Sequence, residues 1–372
     1  MVQADDVKAA LEEGVRSGLF PGAVSFWGRP EDEPARAAAG LLGRSRDLRP
    51  VTESTIYDLA SVTKILSTTS LAMILEARGL MDLQCPVPQG PLKKAAVWPS
   101  HWRTITPAHL LSHQSGLIPW LPLYRLTDSS LSLEKKRAAA LQAIAQSRPE
   151  ADPGRKTIYS DLNFILLGFL LESISGEPIS RLFQREIARP LNLATAAFCP
   201  VNGDIAPTED GFRCGGPIGH PDALWRGPVP LGRVHDDNAA WLGGAAGHAG
   251  LFSAAGDIWA IVRDWGRARD GRGTVFSKNI NEFIKLRPDA DGGGRALGFD
   301  LKAPDGTIFT SGTVGHLGYT GPSLWWDVEK DFAWLVLCNR VHPTARCGGI
   351  IEFRRRLMSE DNSAVKPVTQ NS

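Results

Sequence analysis

The chain has 372 residues, with 41 basic and 40 acidic side chains, a formal charge of +1, and 43% hydrophobic against 22% charged residues. That balance supports a sizeable buried core and excludes both the basic footprint of a nucleic-acid binder and an acidic tail. The 38 glycines and 26 prolines stay below the roughly 25–30% that marks low complexity, so the chain is globular and rich in loops.

Residues 1–20 read as an amphipathic helix, with Val7, Ala10, Leu11 and Val15 on one face and acidic residues in the first turn. This segment lacks the apolar stretch of a secretory signal, and the longest apolar run, residues 164–171, is too short to span a bilayer. The expectation is a cytoplasmic protein without a membrane span. Pro21-Gly22 breaks the chain before a strand at AVSFWG, and a weaker strand follows near Ala37–Leu42. From Ser61 to Arg78 the pattern is helical, with Gly79 as its stop. Further helices are expected at 106–112, 133–147, 162–175 and 178–188. Residues 199–250 are irregular and rich in Gly and Pro. A connection this long is usually functional, so part of it is expected to wall a site. A helix over 253–269 has Ser253 as its N-cap candidate. Strands follow at GTIFTSG, HLGYTG, SLWWDV and FAWLVLCNR, and a polar, flexible tail covers 359–372.

Strands at both ends with helices between them predict an α/β fold of the α+β kind. Its antiparallel sheet, flanked by helices, is built from both termini, with a mostly helical insertion. The boundaries are 1–60 and 245–358 for the discontinuous sheet domain and 61–244 for the helical one. Cys85, Cys199, Cys214, Cys338 and Cys347 are odd in number and contain no Cys-x-x-Cys pair, so reduced thiols are expected. The short basic clusters Arg44-Ser45-Arg46, Lys135-Lys136-Arg137 and Arg354-Arg355-Arg356 read as solvated helix faces or loops.

A serine hydroxyl is protonated at neutral pH and needs help to become a nucleophile. Ser61-Val62-Thr63-Lys64 puts a lysine one helical turn after a serine, at a helix N-terminus whose dipole favours developing negative charge. Ser132-Leu133-Glu134-Lys135 has the same spacing, but it opens a polar helix where Ser132 reads as an N-cap. Tyr159-Ser160-Asp161 precedes an apolar helix. Near a lysine, the Tyr159 phenol can act as a general base; otherwise it packs in the core with its hydroxyl bonded. Gly315-His316-Leu317-Gly318 starts a strand whose edge a substrate can approach, or else His316 is a satisfied structural histidine.

The order Ser-x-x-Lys, Tyr-x-Asp, His-x-Gly resembles that of the serine β-lactamase-like superfamily, which includes penicillin-binding D,D-peptidases, class C β-lactamases and related esterases. The stretches LLSHQSGL (110–117), PLNL (190–193) and GHAGLFS (247–253) match the same group, and the likeness covers about residues 20–345. The resemblance implies that Ser61 is the acyl-accepting nucleophile, Lys64 its proton-transfer partner and Tyr159 the general base. The backbone N–H groups of Ser61 and Tyr319 would hold the oxyanion, with His316 and Gly318 shaping the strand edge. It implies no cofactor and no metal.

Two departures bear on substrate. Asp161 stands where asparagine is usual, so an ionised side chain there only accepts hydrogen bonds. His316 stands for the family lysine, so a permanent charge near the substrate carboxylate is lost or made pH-dependent. These favour a hydrolase of a small-molecule ester, amide or D-amino-acid peptide over a true β-lactamase. The alternatives are a D,D-carboxypeptidase or weak β-lactamase, an acyl transferase, and a catalytically silent peptide sensor using the same cleft. Trp120 and His248, with His235, Trp225 and Trp241, are further pocket candidates, whereas His113 reads as pinning a loop. No His-Glu-x-x-His and no Gly-x-Ser-x-Gly pattern occurs, so a metalloprotease and an α/β-hydrolase are unsupported.

Overall fold

The computed structural model describes residues 2–44, 47–126, 131–214, 223–301, 303, 305–345 and 348–359. Its centre is a five-stranded antiparallel sheet of β1 (Gly22–Gly28), β2 (Ala35–Gly40), β3 (Thr313–Leu317), β4 (Ser323–Asp327) and β5 (Phe332–Cys338), in the order β3-β4-β5-β1-β2. The sheet is therefore assembled from both ends of the chain, with Ser25 facing Val336 across the β1–β5 seam.

Both faces of the sheet are covered, which explains why its strands read as nearly continuous apolar runs. Side chains alternate between the two faces. Trp27, Trp325 and Trp334 face α1 (Ala4–Arg16), whereas Phe26 and Trp326 face the other core. Trp27 stacks on Trp334 at 5.8 Å, and Phe353 packs edge-on to Phe20 at 5.1 Å on the same side. On the opposite side Trp265 stacks on Trp326 at 6.4 Å. The helical part follows the expected periodicity, with α2 (Ser70–Ala77), α3 (Leu133–Gln146) and α4 (Asp161–Ser175) preceding α5 (Ala255–Arg269). Ser132 does cap α3, accepting the Lys135 N–H.

Four local expectations need correction. GTIFTSG is not a strand: β3 begins only at Thr313, because the Asp327 carboxylate accepts the Thr310 N–H and hydroxyl, both at 2.8 Å, and curls the segment. Ser253 does not cap α5; it ends a short strand, Leu251–Ser253, and its hydroxyl donates to the Ala254 carbonyl. The 199–250 region is less irregular than expected, containing a strand pair (Asp210–Cys214 with Ala223–Pro228) and the short helix Asp237–Trp241. Finally, Arg354-Arg355-Arg356 lies on a helix, α6 (Ile350–Leu357), whose Arg354 is buried rather than solvated. The tail beyond Ser359 lies outside the described residues.

No single helix among the described residues is long and apolar enough to cross a membrane. Cys85, Cys199 and Cys338 are free thiols.

Candidate active site

Ser61 sits in a 3-10 turn (Ala60–Val62), followed by a π-helical turn (Lys64–Thr69) that runs into α2. The residue before it, Ala60, has φ +44°, a conformation unfavourable for a side chain other than glycine. Asp58 holds that strain. Its carboxylate accepts the N–H of Ala60 at 2.9 Å and of His235 at 2.7 Å, while its carbonyl accepts the Thr320 hydroxyl at 2.7 Å. Burial pushes the Asp58 carboxyl above its usual value, against the pull of those two N–H groups.

Lys64 is fully buried, and its ammonium donates to Ser61 Oγ at 2.9 Å and to the His248 carbonyl at 3.1 Å. It also forms an ion pair with Asp161, Nζ to Oδ1 at 2.8 Å. Burial opposes the charge, but Asp161 and Tyr159 outweigh it and raise the Lys64 pKa above its ordinary value. Tyr159 adjoins this pair, with Lys64 Nζ 5.1 Å from its ring centroid. Burial and Asp161 push the Tyr159 pKa up, and Lys64 and Ser61, which both act to lower it, offset this only in part. The resting cluster is therefore an ammonium beside a neutral phenol.

Tyr159 is packed among rings and cations. Its ring lies 4.6 Å from His113 and 5.8 Å from His316, with Lys64 Nζ at 5.1 Å and the Arg295 guanidinium at 5.5 Å from its centroid. His113 pins its loop as expected: it adopts φ +57°, and Nδ1 accepts the Ser160 N–H at 3.0 Å. His316 donates from Nδ1 to the Leu317 carbonyl at 2.8 Å. Burial, reinforced by Arg295 and Lys64, holds its pKa well below the usual histidine value, so His316 is neutral. The pH-dependent charge considered for position 316 is absent near neutrality.

The cleft above Ser61 has a volume of about 630 Å³, and Trp120, Tyr159, Asp161, His316, Gly318 and Tyr319 all line it. Gly318 must be small, because a Cβ there would lie 2.6 Å from the Leu59 carbonyl oxygen. His235 and Asp236 from the long 199–250 segment also form part of the wall. His248 does not line the cleft: its ring is buried against Asp236 at 2.8 Å, and only its carbonyl reaches the centre, through Lys64. Burial would raise the Asp236 pKa, but His248 and the Ala239 N–H pull it well below the carboxylate range. Trp241 belongs to the core, and the Trp225 side chain lies outside the described residues.

Sequence reasoning missed the cleft's arginines. Arg295, Arg340 and Arg354 all line it, the first from the short strand Gly294–Arg295, the second just after β5 and the third from α6. Arg295 pairs with Asp300 at 3.3 Å, while its Nε and Nη2 are buried without a protein hydrogen-bond partner. None of the three lies near a motif, and only their convergence in the fold reveals them. No group of three or more His, Cys, Asp or Glu side chains among the described residues can hold a metal ion.

The chain has relatives among known proteins. The family model described as Beta-lactamase matches residues 7–351. A putative D-alanyl-D-alanine carboxypeptidase of Escherichia coli O157:H7 is 32% identical over 310 residues, covering 78% of this chain and 70% of that protein. Among solved structures, EstCE1, a hydrolase with promiscuous acyltransferase activity, superposes with a TM-score of 0.73 at 23% identity, covering 95% of this chain and 98% of the other. A D-amino acid amidase from Ochrobactrum anthropi superposes with a TM-score of 0.66 at 19% identity, covering 91% and 92%. The two superpositions establish the fold. With a family match across nearly its whole length, the chain belongs to the β-lactamase family and is a serine hydrolase.

Proposed function

We propose that the protein cleaves an ester or amide through an acyl-enzyme on Ser61, with Lys64 and Tyr159 moving the proton. The observation that carries this reading is the contact between buried Lys64 Nζ and Ser61 Oγ at 2.9 Å, with Tyr159 beside them in the same cleft. In the active form the cluster has lost one proton. The Ser61 hydroxyl proton then passes to the Tyr159–Lys64 pair as Oγ attacks the carbonyl carbon. The Ser61 and Tyr319 N–H groups hold the resulting oxyanion, the pair returns the proton to the leaving group, and a water deprotonated by the same pair releases the acyl group.

Arg295 favours a more specific reading. Neutral His316 gives a substrate carboxylate no positive charge, whereas Arg295, adjoining Tyr159, brings a cation to the wall of the same cleft. A peptide or amide with a free carboxylate fits that cation, consistent with the carboxypeptidase name of the Escherichia coli relative.

One panel tests both levels: p-nitrophenyl esters, nitrocefin, and D-alanyl-D-alanine peptides with free or amidated C-termini, assayed with the wild type and Ser61→Ala. Turnover by the wild type, a mass shift on Ser61 with a fluorophosphonate, and loss of both in Ser61→Ala are expected. A preference for the free C-terminus supports the carboxylate reading. Full activity in Ser61→Ala would refute the acyl-enzyme, and binding without turnover would favour the silent sensor.

A further inference from the structure

The loop that follows β3, residues 318–322, carries the Tyr319 N–H assigned above to the oxyanion, so this inference rests on the acyl-transfer reading. Within the loop, the Gly318 carbonyl accepts the Gly321 N–H at 3.2 Å, and the Gly318 N–H donates to the Pro322 carbonyl at 2.8 Å. Because the 318–319 peptide is planar and trans, fixing the Gly318 carbonyl aims the Tyr319 N–H the opposite way. Two hydrogen bonds across so short a loop leave its remaining carbonyls to be satisfied from elsewhere.

Two arginines meet the Tyr319 and Gly321 carbonyls, the latter with the Cys338 thiol at 3.4 Å. Arg340 Nε donates to the Tyr319 carbonyl at 2.7 Å, and its guanidinium lies 4.7 Å from the centroid of the Tyr319 ring. Arg354 reaches in from α6, and its Nη2 donates to the Gly321 carbonyl and, at 3.1 Å, to the Pro322 carbonyl. The Tyr319 ring is stacked on His235 as well, at 5.7 Å and 28°, and His235 is itself held by Glu209 at 2.8 Å. Arg354 is 3% exposed, and burial pulls its pKa down to about 10. Burying a guanidinium is costly unless its donors are used; here Nη2 is used twice on this loop, while the buried Nε has no protein hydrogen-bond partner.

We infer that Arg340 and Arg354 are positioning residues for acyl transfer, bracing the 318–322 loop so that the Tyr319 N–H is already aimed when negative charge develops on the substrate carbonyl oxygen. Neither needs to touch the reacting atoms. Preorganisation of this kind acts on the transition state more than on substrate binding.

The test compares Arg340→Met, Arg354→Met and Arg340→Lys with Arg355→Met, which removes an exposed charge paired to Glu352 and leaves the loop untouched. The readouts are kcat and KM on the best ester of the panel, inhibition by a boronic acid that mimics the tetrahedral adduct, and amide hydrogen exchange of residues 318–322. Each Met variant is expected to lose about ten-fold or more in kcat, short of the 10²–10³-fold cost of deleting an oxyanion donor outright. Boronate affinity should fall in parallel, KM should hold, and loop exchange should quicken; Arg340→Lys should recover part of the loss, and Arg355→Met should match the wild type.

Unchanged kcat and boronate affinity in both Met variants would overturn the brace, as would unchanged loop exchange or equal losses in kcat and in substrate binding. Should Arg354→Met fail to fold, the Arg340→Met and Arg340→Lys pair decides alone. A wild type that neither turns over nor labels Ser61 refutes the acyl-transfer reading instead, and loop exchange still decides whether the arginines hold the loop.

Discussion

Asp161 determines how the proton inventory around Ser61 is set. It faces Lys64 at 2.8 Å and raises the pKa of both Lys64 and Tyr159. With Lys64 an ammonium and Tyr159 a phenol, the cluster has one proton too many to act as a base, so kcat/KM must rise as pH rises through the shared apparent pKa. Asp161→Asn removes the negative charge, which lowers both pKa values and frees that proton earlier. The ascending limb of the kcat/KM profile is therefore expected to move to lower pH, and a limb that stays put or moves up would contradict the coupling. The Ser61–Lys64 contact was legible because one helical turn separates the two residues, whereas Tyr159 was singled out through the resemblance in motif order. The ion pair between Lys64 and Asp161 was not legible, since the sequence places them almost a hundred residues apart. Arg354 was misread for a related reason: in the same helix Arg355 and Arg356 pair with Glu352 at the surface, and only the helical rotation between neighbours turns Arg354 inward.

The element that places the lysine is the π-helical turn Lys64–Thr69, and it depends on a glycine from another segment. Gly247 packs against α4 so closely that a Cβ on it would lie 2.0 Å from the Phe164 carbonyl oxygen and 2.8 Å from the Gly168 nitrogen. Its carbonyl accepts the Thr68 hydroxyl at 2.6 Å, and the next carbonyl, that of His248, accepts Lys64 Nζ. Gly247→Ala should overpack this junction and destabilise the protein by roughly 1–3 kcal/mol. It should also slow fluorophosphonate labelling of Ser61 in the protein that remains folded. Thermal melts and labelling rates check both, and a variant with unchanged melting would show that the segment can yield. Apolar periodicity made the helix from 61 to 78 legible, but not its change of winding. The extra residue in a π-turn leaves no mark in a pattern of buried positions, and every residue of the turn is buried. Likewise the strand expected at GTIFTSG has the right residue types, and it is the Asp327 carboxylate that turns the segment aside.

At the scale of the molecule, the arrangement of strands at both ends and helices between was enough to predict a sheet closed by the two termini. What it could not reveal is that the cores are shared. One continuous cluster of buried residues takes in Val24, Phe26 and Leu335 of the sheet together with Leu110, Leu166 and Phe183 of the helical part. We propose that the division into 1–60 with 245–358 and 61–244 describes the path of the chain and not two units of stability. The β1–β5 seam joins residues such as Ser25 and Leu335, 310 positions apart, so the sheet closes only after nearly the whole chain is in place. Contacts this distant make folding slow. The shared core also leaves the helical part without its packing partner once the sheet opens. Urea unfolding is therefore expected to be a single transition. Tryptophan fluorescence, to which the sheet contributes Trp27, Trp325, Trp326 and Trp334, should coincide with far-ultraviolet circular dichroism, which weights the helices, and with loss of Ser61 labelling. The cleft lies where the two parts meet, with Ser61 and Tyr159 on one side and His316 and Tyr319 on the other. Labelling that disappeared at lower urea than the helical signal would mean that the sheet detaches first, and the two parts would then be separate units of stability.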